Sequence, residues 1–324
     1  MLSVEEYHNQ FLDYLENYNP PNSPSNLYDP VSYILRLKGK RIRPILTLLT
    51  CDLFNNNFKD AFDAALAVEV FHNFSLVHDD IMDEAPLRRG NETVHKKWDL
   101  STAILSGDVM LILAYQLFEN YSGDMFVSLA KLFSKTAVEV CEGQQMDIDF
   151  SNKNDISSDK YLKMIEFKTA VLLGASMKMG AIVSKASLKE QNSIYEFGKN
   201  LGMAFQIQDD LLDTFGVEEK FGKKIGGDIL ENKKTLLFIR ANQLLGDKDK
   251  LRLIELYSTK ELDENYKINE VKDLYSKCGI PEIMSKEIKD FTMTAFQMLD
   301  NINISTEKKQ FLIDFGNSLM KRNI

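Results

Sequence analysis

Proline is distributed so unevenly along this chain that it decides the fold class. Five of the seven prolines stand at or before Pro44, the sixth is Pro86, and none follows until Pro281. A proline ring removes a backbone donor and clashes with the preceding turn, so helix interiors exclude it. The long middle of the chain carries no such breaker. Apolar residues there recur three and four apart, as in Leu111, Ala114, Tyr115 and Phe118, or Leu129, Phe133, Ala137 and Val140. That is the period of a buried helix face, and alternating strand patterns are absent. The expected helices span 3–18, 30–54 with a break near Gly39, 60–84, 97–119, 124–147, 158–184, 188–215, 229–246, 248–258, 267–298 and 305–321. With 44% apolar residues in 324 and no break in composition, one large domain or two intimately packed halves are expected, taken here as one all-α domain over the whole chain. Its chemistry is expected in a deep cavity between the helices.

Two short acidic runs mark where that chemistry lies. His78-Asp79-Asp80-Ile81-Met82-Asp83 and Gln208-Asp209-Asp210-Leu211-Leu212-Asp213 each fall at the end of a long apolar helix. The first helix must stop near Glu84, because Pro86 disfavours helical geometry at Ala85. Gly216 is expected to stop the second in a left-handed conformation. Carboxylates at a helix C-terminus face the negative end of the macrodipole and cost about 0.3–1 kcal/mol each. Stability alone therefore does not place six aspartates there. The first and last of each run are i and i+4, about 40° apart around the helix, so their oxygens can share a cation. Hard oxygen donors without a Cys or His cluster favour magnesium, which keeps waters and completes its shell with substrate phosphates. Two such clusters facing one another would make a multi-magnesium site for a diphosphate.

Basic residues flank the acids along the chain. Lys40 and Arg43, in Gly39-Lys40-Arg41-Ile42-Arg43-Pro44, are three apart and can present a point charge and a planar fork to one phosphate group. His72 lies seven residues before Asp79 on nearly the same helix face. Arg88 and Arg89 follow the first acidic run in a loop. Lys168 and Thr169 sit inside a small-residue, Met-rich helix, where a lysine turned inward needs an anion. Farther on, Phe221-Gly222-Lys223-Lys224-Ile225-Gly226-Gly227-Asp228, followed by Asn232-Lys233-Lys234-Thr235, is glycine-rich and cationic. That composition suits a flap over a phosphate.

Other readings fall away on charge and length. A net charge of −9 argues against a nucleic-acid partner. Cys51, Cys141 and Cys278 are odd in number and widely spaced, which fits a reducing cytoplasm rather than a disulfide framework. The N-terminus carries Glu5, Glu6, Asp13 and Glu16, unlike a signal peptide. The most apolar stretch, Ile104 to Phe118, is interrupted by Asp108 and reads as too short for a membrane span. No membrane anchor is expected.

Taken together, Gly-Lys-x-x-Arg, Asp-Asp-x-x-Asp, Arg-Arg-Gly, Lys-Thr, Gln-x-x-Asp-Asp-x-x-Asp and Gly-Lys-x-x-Gly-x-Asp resemble, in order, the trans-type isoprenyl diphosphate synthases of the polyprenyl synthetase family. The similarity runs from about Tyr33 to Lys234 through the motifs, and beyond them through helices. It implies an all-α, commonly homodimeric enzyme that condenses isopentenyl diphosphate head to tail with an allylic diphosphate. By the resemblance, Asp79, Asp80, Asp83, Asp209, Asp210 and Asp213 hold magnesium, three ions with substrate bound, with manganese as a substitute. Arg88, Lys168, Lys224 and Lys233 would neutralise the allylic diphosphate, and Lys40, Arg43, His72 and Arg89 would hold the homoallylic one. Thr169 and Gln206 would flank the reacting carbon. Phe74 would form a floor for the growing product, and Ser75, about 6 Å back along the helix from Asp79, leaves room. The expected product is geranylgeranyl diphosphate (C20), with farnesyl diphosphate (C15) as the alternative. A class I terpene cyclase and a non-catalytic subunit of a heteromeric synthase are the rival readings.

Overall fold

The computed structural model describes residues 1–55, 57–151, 153, 155–217, 225–259 and 262–321. Two compact units emerge: Met1–Lys135 with Ala175–Tyr195, and Thr136–Gly174 with Glu196–Ile324.

The first unit is built from α1 (Val4–Asn17), α2 (Ser25–Arg36), α3 (Ile42–Asn55), α4 (Phe62–Met82), α5 (Val94–Lys97), α6 (Leu100–Phe118) and the start of α7 (Gly123–Ser151). Helix α4 is its axis, packed on α3 and α6. Eleven residues of α4 between Ala64 and Val77 are buried because apolar and small side chains occupy nearly every position, and His72, Ser75, Leu76 and Asp79 make a stripe that is only partly buried. An aromatic knot closes this core: the Phe133 ring meets Phe71, Phe118 and Tyr115 edge-on at 5.0, 5.2 and 4.6 Å. Helix α1 starts in a capping box between Ser3 and Glu6 and docks through Tyr7, whose hydroxyl donates to the buried Asp52.

In the second unit, α8 (Ser158–Ile165), a π-helical turn (Glu166–Ala170), α9 (Val171–Val183) and α10 (Leu188–Phe215) contribute in part or whole, followed by helices at Gly227–Leu230, Leu236–Leu244, Asp247–Ser258, Glu264–Lys277, Ile280–Met298 and Thr306–Met320. Met203, Ile207 and Leu211, four apart on α10, enter one apolar cluster with Met164, Leu237, Val271 and Tyr275.

The all-α expectation holds, and several boundaries move for identifiable reasons. The helix expected over 30–54 begins at Ser25 as α2, tolerating Pro30 inside it, and opens into a five-residue break at 37–41. The helix expected over 158–184 contains the π turn, with Val171 N–H donating to Glu166 O. The one expected over 267–298 is cut at Gly279, whose φ of 73° ends one helix while Pro281 enters the first turn of the next. Residues 87–92, expected as irregular loop, form a two-stranded hairpin, Leu87 opposite Glu92 and Arg88 opposite Asn91. Its turn residues Arg89 and Gly90 have φ of 52° and 77°, the mirror-image turn that matches strand twist. Gly216 is not left-handed; its N–H makes an ordinary bond to Leu212 O. Finally, α6 is 19 residues long and apolar enough by length and composition to cross a membrane, so length does not exclude a span as the sequence suggested. It packs against α2 and α4 through Ala103, Gly107, Met110 and Ala114.

Candidate functional site

In the first unit, the end of α4 is a Schellman cap. Glu84 N–H donates to Ile81 O at 3.2 Å and Ala85 N–H to Asp80 O at 3.0 Å, with Glu84 at φ 50° in the position glycine usually fills. This cap fixes Asp79 and Asp80 on the last helical turn and Asp83 at the cap itself. The hairpin then returns Arg88 to Asp80: Nε lies 2.8 and 2.7 Å from the two carboxylate oxygens, and Nη2 lies 2.6 Å from Oδ1. Burial pushes the Asp80 carboxyl up, against the pull of Arg88. Arg88 therefore stands at the acidic run and is paired with it.

A cationic cluster lies in the same unit. Arg43 Nη1 is 3.1 Å from His72 Nε2. Burial, then the charges of Arg43 and Arg89, hold the His72 imidazole far below its usual range, so the ring is neutral and accepts from Arg43. Burial also lowers Arg43 to about 10. Arg89 reaches back to Leu37 O at 3.4 Å and lies flat on Gly39, where an added Cβ would sit 2.7 Å from its Nη1. Glycine at 39 is what lets this guanidinium approach. Lys40 is exposed on the same loop. The resemblance grouped Lys40, Arg43, His72 and Arg89, and the fold brings Arg43 to His72 and Arg89 to the loop of Lys40. It does so through a residue not singled out from the sequence. Arg41, 5% exposed, pairs with Glu69 and donates to Leu35 O and Leu37 O, both at 2.6 Å, and so ties the loop to α4.

In the second unit, the end of α10 and the π turn share a cavity of about 140 Å³, lined among others by Asp147, Lys168, Thr169, Gln206, Asp210, Asp228 and Lys233. The π turn matters because its extra residue aims Lys168 and Thr169 the same way, a frequent device at functional sites. Lys168 Nζ donates to Asp147 Oδ2 at 2.5 Å, the anion that an inward lysine requires. Thr169 Oγ1 donates to Gln206 Oε1 at 3.1 Å, and Gln206 Nε2 donates to Asp210 Oδ1 at 3.0 Å. Tyr161 OH completes the chain, donating to Asp210 Oδ2 at 2.7 Å. Asp213 Oδ1 accepts from Asp228 N–H at 2.9 Å and so caps the short helix Gly227–Leu230. Lys233 Nζ lies 2.6 Å from Glu231 and 3.9 Å from Asp228. Lys224, with Phe221, Gly222 and Lys223, lies outside the described residues. Tyr161 and Asp147 were not foreseen; Asp228 stood in a quoted motif but was given no role.

Which of these groups could hold a metal follows from charge. Burial, and next the neighbouring carboxylate of Asp228, raise Asp210 well above the carboxylate range. That marks a place where negative charge is in excess and a divalent cation would relieve it. Among the described residues, no three acidic, imidazole or thiol side chains already converge as a metal cage. The donor set fits magnesium nonetheless, since that ion takes few protein ligands and leaves the rest to water and phosphate oxygens. One consequence is measurable without turnover. A carboxyl raised in the native state binds a proton that the unfolded chain has already lost, so stability falls as pH rises towards the native-state value. In the metal-free protein, thermal melts are expected to decline with rising pH more steeply than in Asp210→Asn; equal slopes would remove Asp210 as the cause.

The comparisons agree with the motifs. A family model described as polyprenyl synthetase matches residues 24–276. A short chain isoprenyl diphosphate synthase of Methanocaldococcus jannaschii is 40% identical over 248 residues, 76% of this chain and 74% of that one. A geranylgeranyl pyrophosphate synthase of Geoglobus acetivorans is 34% identical over 301 residues, 92% of each. The crystal structure of a geranylgeranyl pyrophosphate synthase matches with a TM-score of 0.96 at 46% identity, covering the whole of both chains.

Proposed function

We propose that this chain, which belongs to the polyprenyl synthetase family, is a trans-prenyltransferase that condenses isopentenyl diphosphate with allylic diphosphates to a short-chain product, geranylgeranyl diphosphate. The observation that carries the reading is the cavity of the second unit. It gathers Lys168, Thr169, Gln206, Asp210 and Lys233 from three separate stretches of the chain, and in this reading each takes a task in separating an allylic diphosphate.

The residues divide the work by charge. Breaking the allylic C–O bond leaves a carbocation and puts negative charge on the departing diphosphate. Lys168 and Lys233 supply fixed cations to that leaving group, with Arg88 and Lys224 assigned to it as well. Asp79, Asp80, Asp83, Asp209, Asp210 and Asp213 would hold magnesium, three ions with substrate bound, manganese being an acceptable substitute. When bound, magnesium draws electron density from the leaving diphosphate oxygens. Gln206, oriented by Thr169 and by Asp210, presents its amide dipole beside the reacting carbon. Arg43, neutral His72, Arg89 and Lys40 bind the second diphosphate. That cluster argues against a terpene cyclase, which has one prenyl diphosphate to hold. The proton lost after carbon–carbon bond formation goes to the departing diphosphate, so no protein base is required.

Product length is assigned to α4. Phe74 is 8% exposed and meets Phe71 at a tilt at 5.5 Å and the His78 ring edge-on at 4.9 Å, which makes it a fixed obstacle. Ser75 turns its hydroxyl back to His72 O at 2.8 Å and takes little space. Purified enzyme given labelled isopentenyl diphosphate and dimethylallyl diphosphate is expected to make mainly C20 with some C15. Exclusive C10, or C30 and longer, would contradict the assignment, as would inactivity of the isolated chain. Phe74→Ala is expected to lengthen the product by one or more five-carbon units; an unchanged distribution takes Phe74 out of the floor. A homodimer is part of the same reading. Leu105 and Ile112 on α6, with Phe126 and Val127 on α7, are 58, 55, 36 and 44% exposed, an excess of apolar surface that a second copy would cover. The expected setting is the cytoplasm, without nucleic-acid partner or membrane anchor.

A further inference from the structure

A second cavity, of about 760 Å³, lies in the first unit beside the loop that carries Lys40 and on which Arg89 rests. Helix α1 packs on α3 and α4 through the fully buried Tyr7 and Phe11. Its next face, with Leu12 and Leu15, stands off from α2 and is only partly buried. Those two leucines, Tyr18, Leu35 and Leu37 make an apolar lining. The rim carries Arg36 and Lys38 against the single carboxylate of Glu16, so its charge balance favours an anion. The volume falls in the range of small-molecule sites, about 300–1,000 Å³.

The pocket opens to solvent along its charged rim, where Glu16, Arg36 and Lys38 are exposed. Its inner wall is held by Arg41, itself a lining residue. Arg41, at φ 46°, anchors residues 35 and 37 through their carbonyls and is itself fixed by Glu69, while its Nε makes no hydrogen bond. On the other face of that wall, Arg89 rests on Gly39 and bonds Leu37 O. His8 Nε2, on the cavity side, comes within 3.5 Å of Gly39 O. One five-residue loop is therefore both the back of the cavity and the support of Arg89 and Lys40.

We propose that this cavity is a regulatory site for an amphiphilic anion, a hydrocarbon chain ending in a phosphate or carboxylate, whose binding shifts the loop at 37–41 and so changes affinity for isopentenyl diphosphate. The kinetic half rests on the reading of Arg89 and Lys40 given above; the binding half does not. Laurate, used below its micellar concentration, is the probe. Calorimetry on the full chain is expected to show one site, weakened at least about tenfold in Leu15→Trp, which fills the cavity. Arg36→Glu, an exposed change that spares the packing, is expected to weaken laurate and leave dodecanol binding as it was. In the unaltered enzyme, laurate is expected to change KM for isopentenyl diphosphate by about fivefold or more, the lower end of ordinary coupling between sites, with kcat and the allylic KM constant. Both variants are expected to keep their basal kinetics. Titration with geranylgeranyl diphosphate separates the sources: two molecules per chain falling to one in Leu15→Trp makes the product itself the occupant, and one in both leaves a fatty carboxylate. No heat with laurate, or an affinity in Leu15→Trp and Arg36→Glu unchanged from the parent, overturns the site; binding that leaves KM unchanged overturns its regulatory role.

Discussion

Asp79→Ala and Asp209→Ala are each expected to lose at least about 10²–10³-fold in kcat, the cost of removing one preorganised electrostatic group from a reaction that separates charge. Both residues sit in the last turns of long, well-packed helices, α4 and α10, so neither substitution opens a core. The Asp79 carbonyl accepts from the Asp83 N–H at 2.9 Å in the last helical turn, a backbone bond that an alanine side chain leaves intact. Circular dichroism and melting temperature are accordingly expected to stay near those of the parent. The loss should not be recovered by raising magnesium to saturation, whereas chelating the metal from the parent should abolish turnover reversibly. Two folded variants working at the parent rate without added metal would refute the mechanism.

Gly143→Ala is expected to be the most damaging single methyl group in the second unit. In α7, Gly143 lets the helix backbone rest on the π turn: a Cβ there would fall on the backbone nitrogen of Lys168 and within 2.7 Å of its Cα. Main-chain atoms on both sides cannot swing away as a flexible side chain would, so the helices must part. Overpacking of this kind costs about 1–3 kcal/mol, occasionally more. The larger effect falls on catalysis, because the segment pushed aside carries Lys168 and Thr169. A displacement of about 1 Å in such a group costs about 10²-fold in rate. Gly246→Ala is the control: nothing lies within 4 Å of its added Cβ, and stability should change by no more than about 0.5 kcal/mol. If Gly143→Ala matches that control in both melting temperature and kcat, the close approach has no functional weight.

Much of this was legible along the chain because it is local. The end of α4 could be read from Pro86, and α10 keeps the boundaries expected of it, 188–215. The site motifs were readable as well, since spacing within a helix fixes which residues share a face. The breaks were harder. Gly279 divides a helix that periodicity alone carries straight through, and the π turn leaves no trace in a sequence read for a period of 3.6.

The sequence by itself determined an all-α chain, where its two acidic runs fall, and the charge pattern those runs and their basic neighbours form. Only tertiary structure decided who pairs with whom: Arg88 with Asp80, Lys168 with Asp147, Arg41 with Glu69 and Tyr161 with Asp210. It also made the apolar cavity behind the 37–41 loop. The reason is range. Helix period and caps are set by neighbours a few residues away, whereas these pairs are separated by 8, 21, 28 and 49 residues and exist only where one packed helix or hairpin meets another.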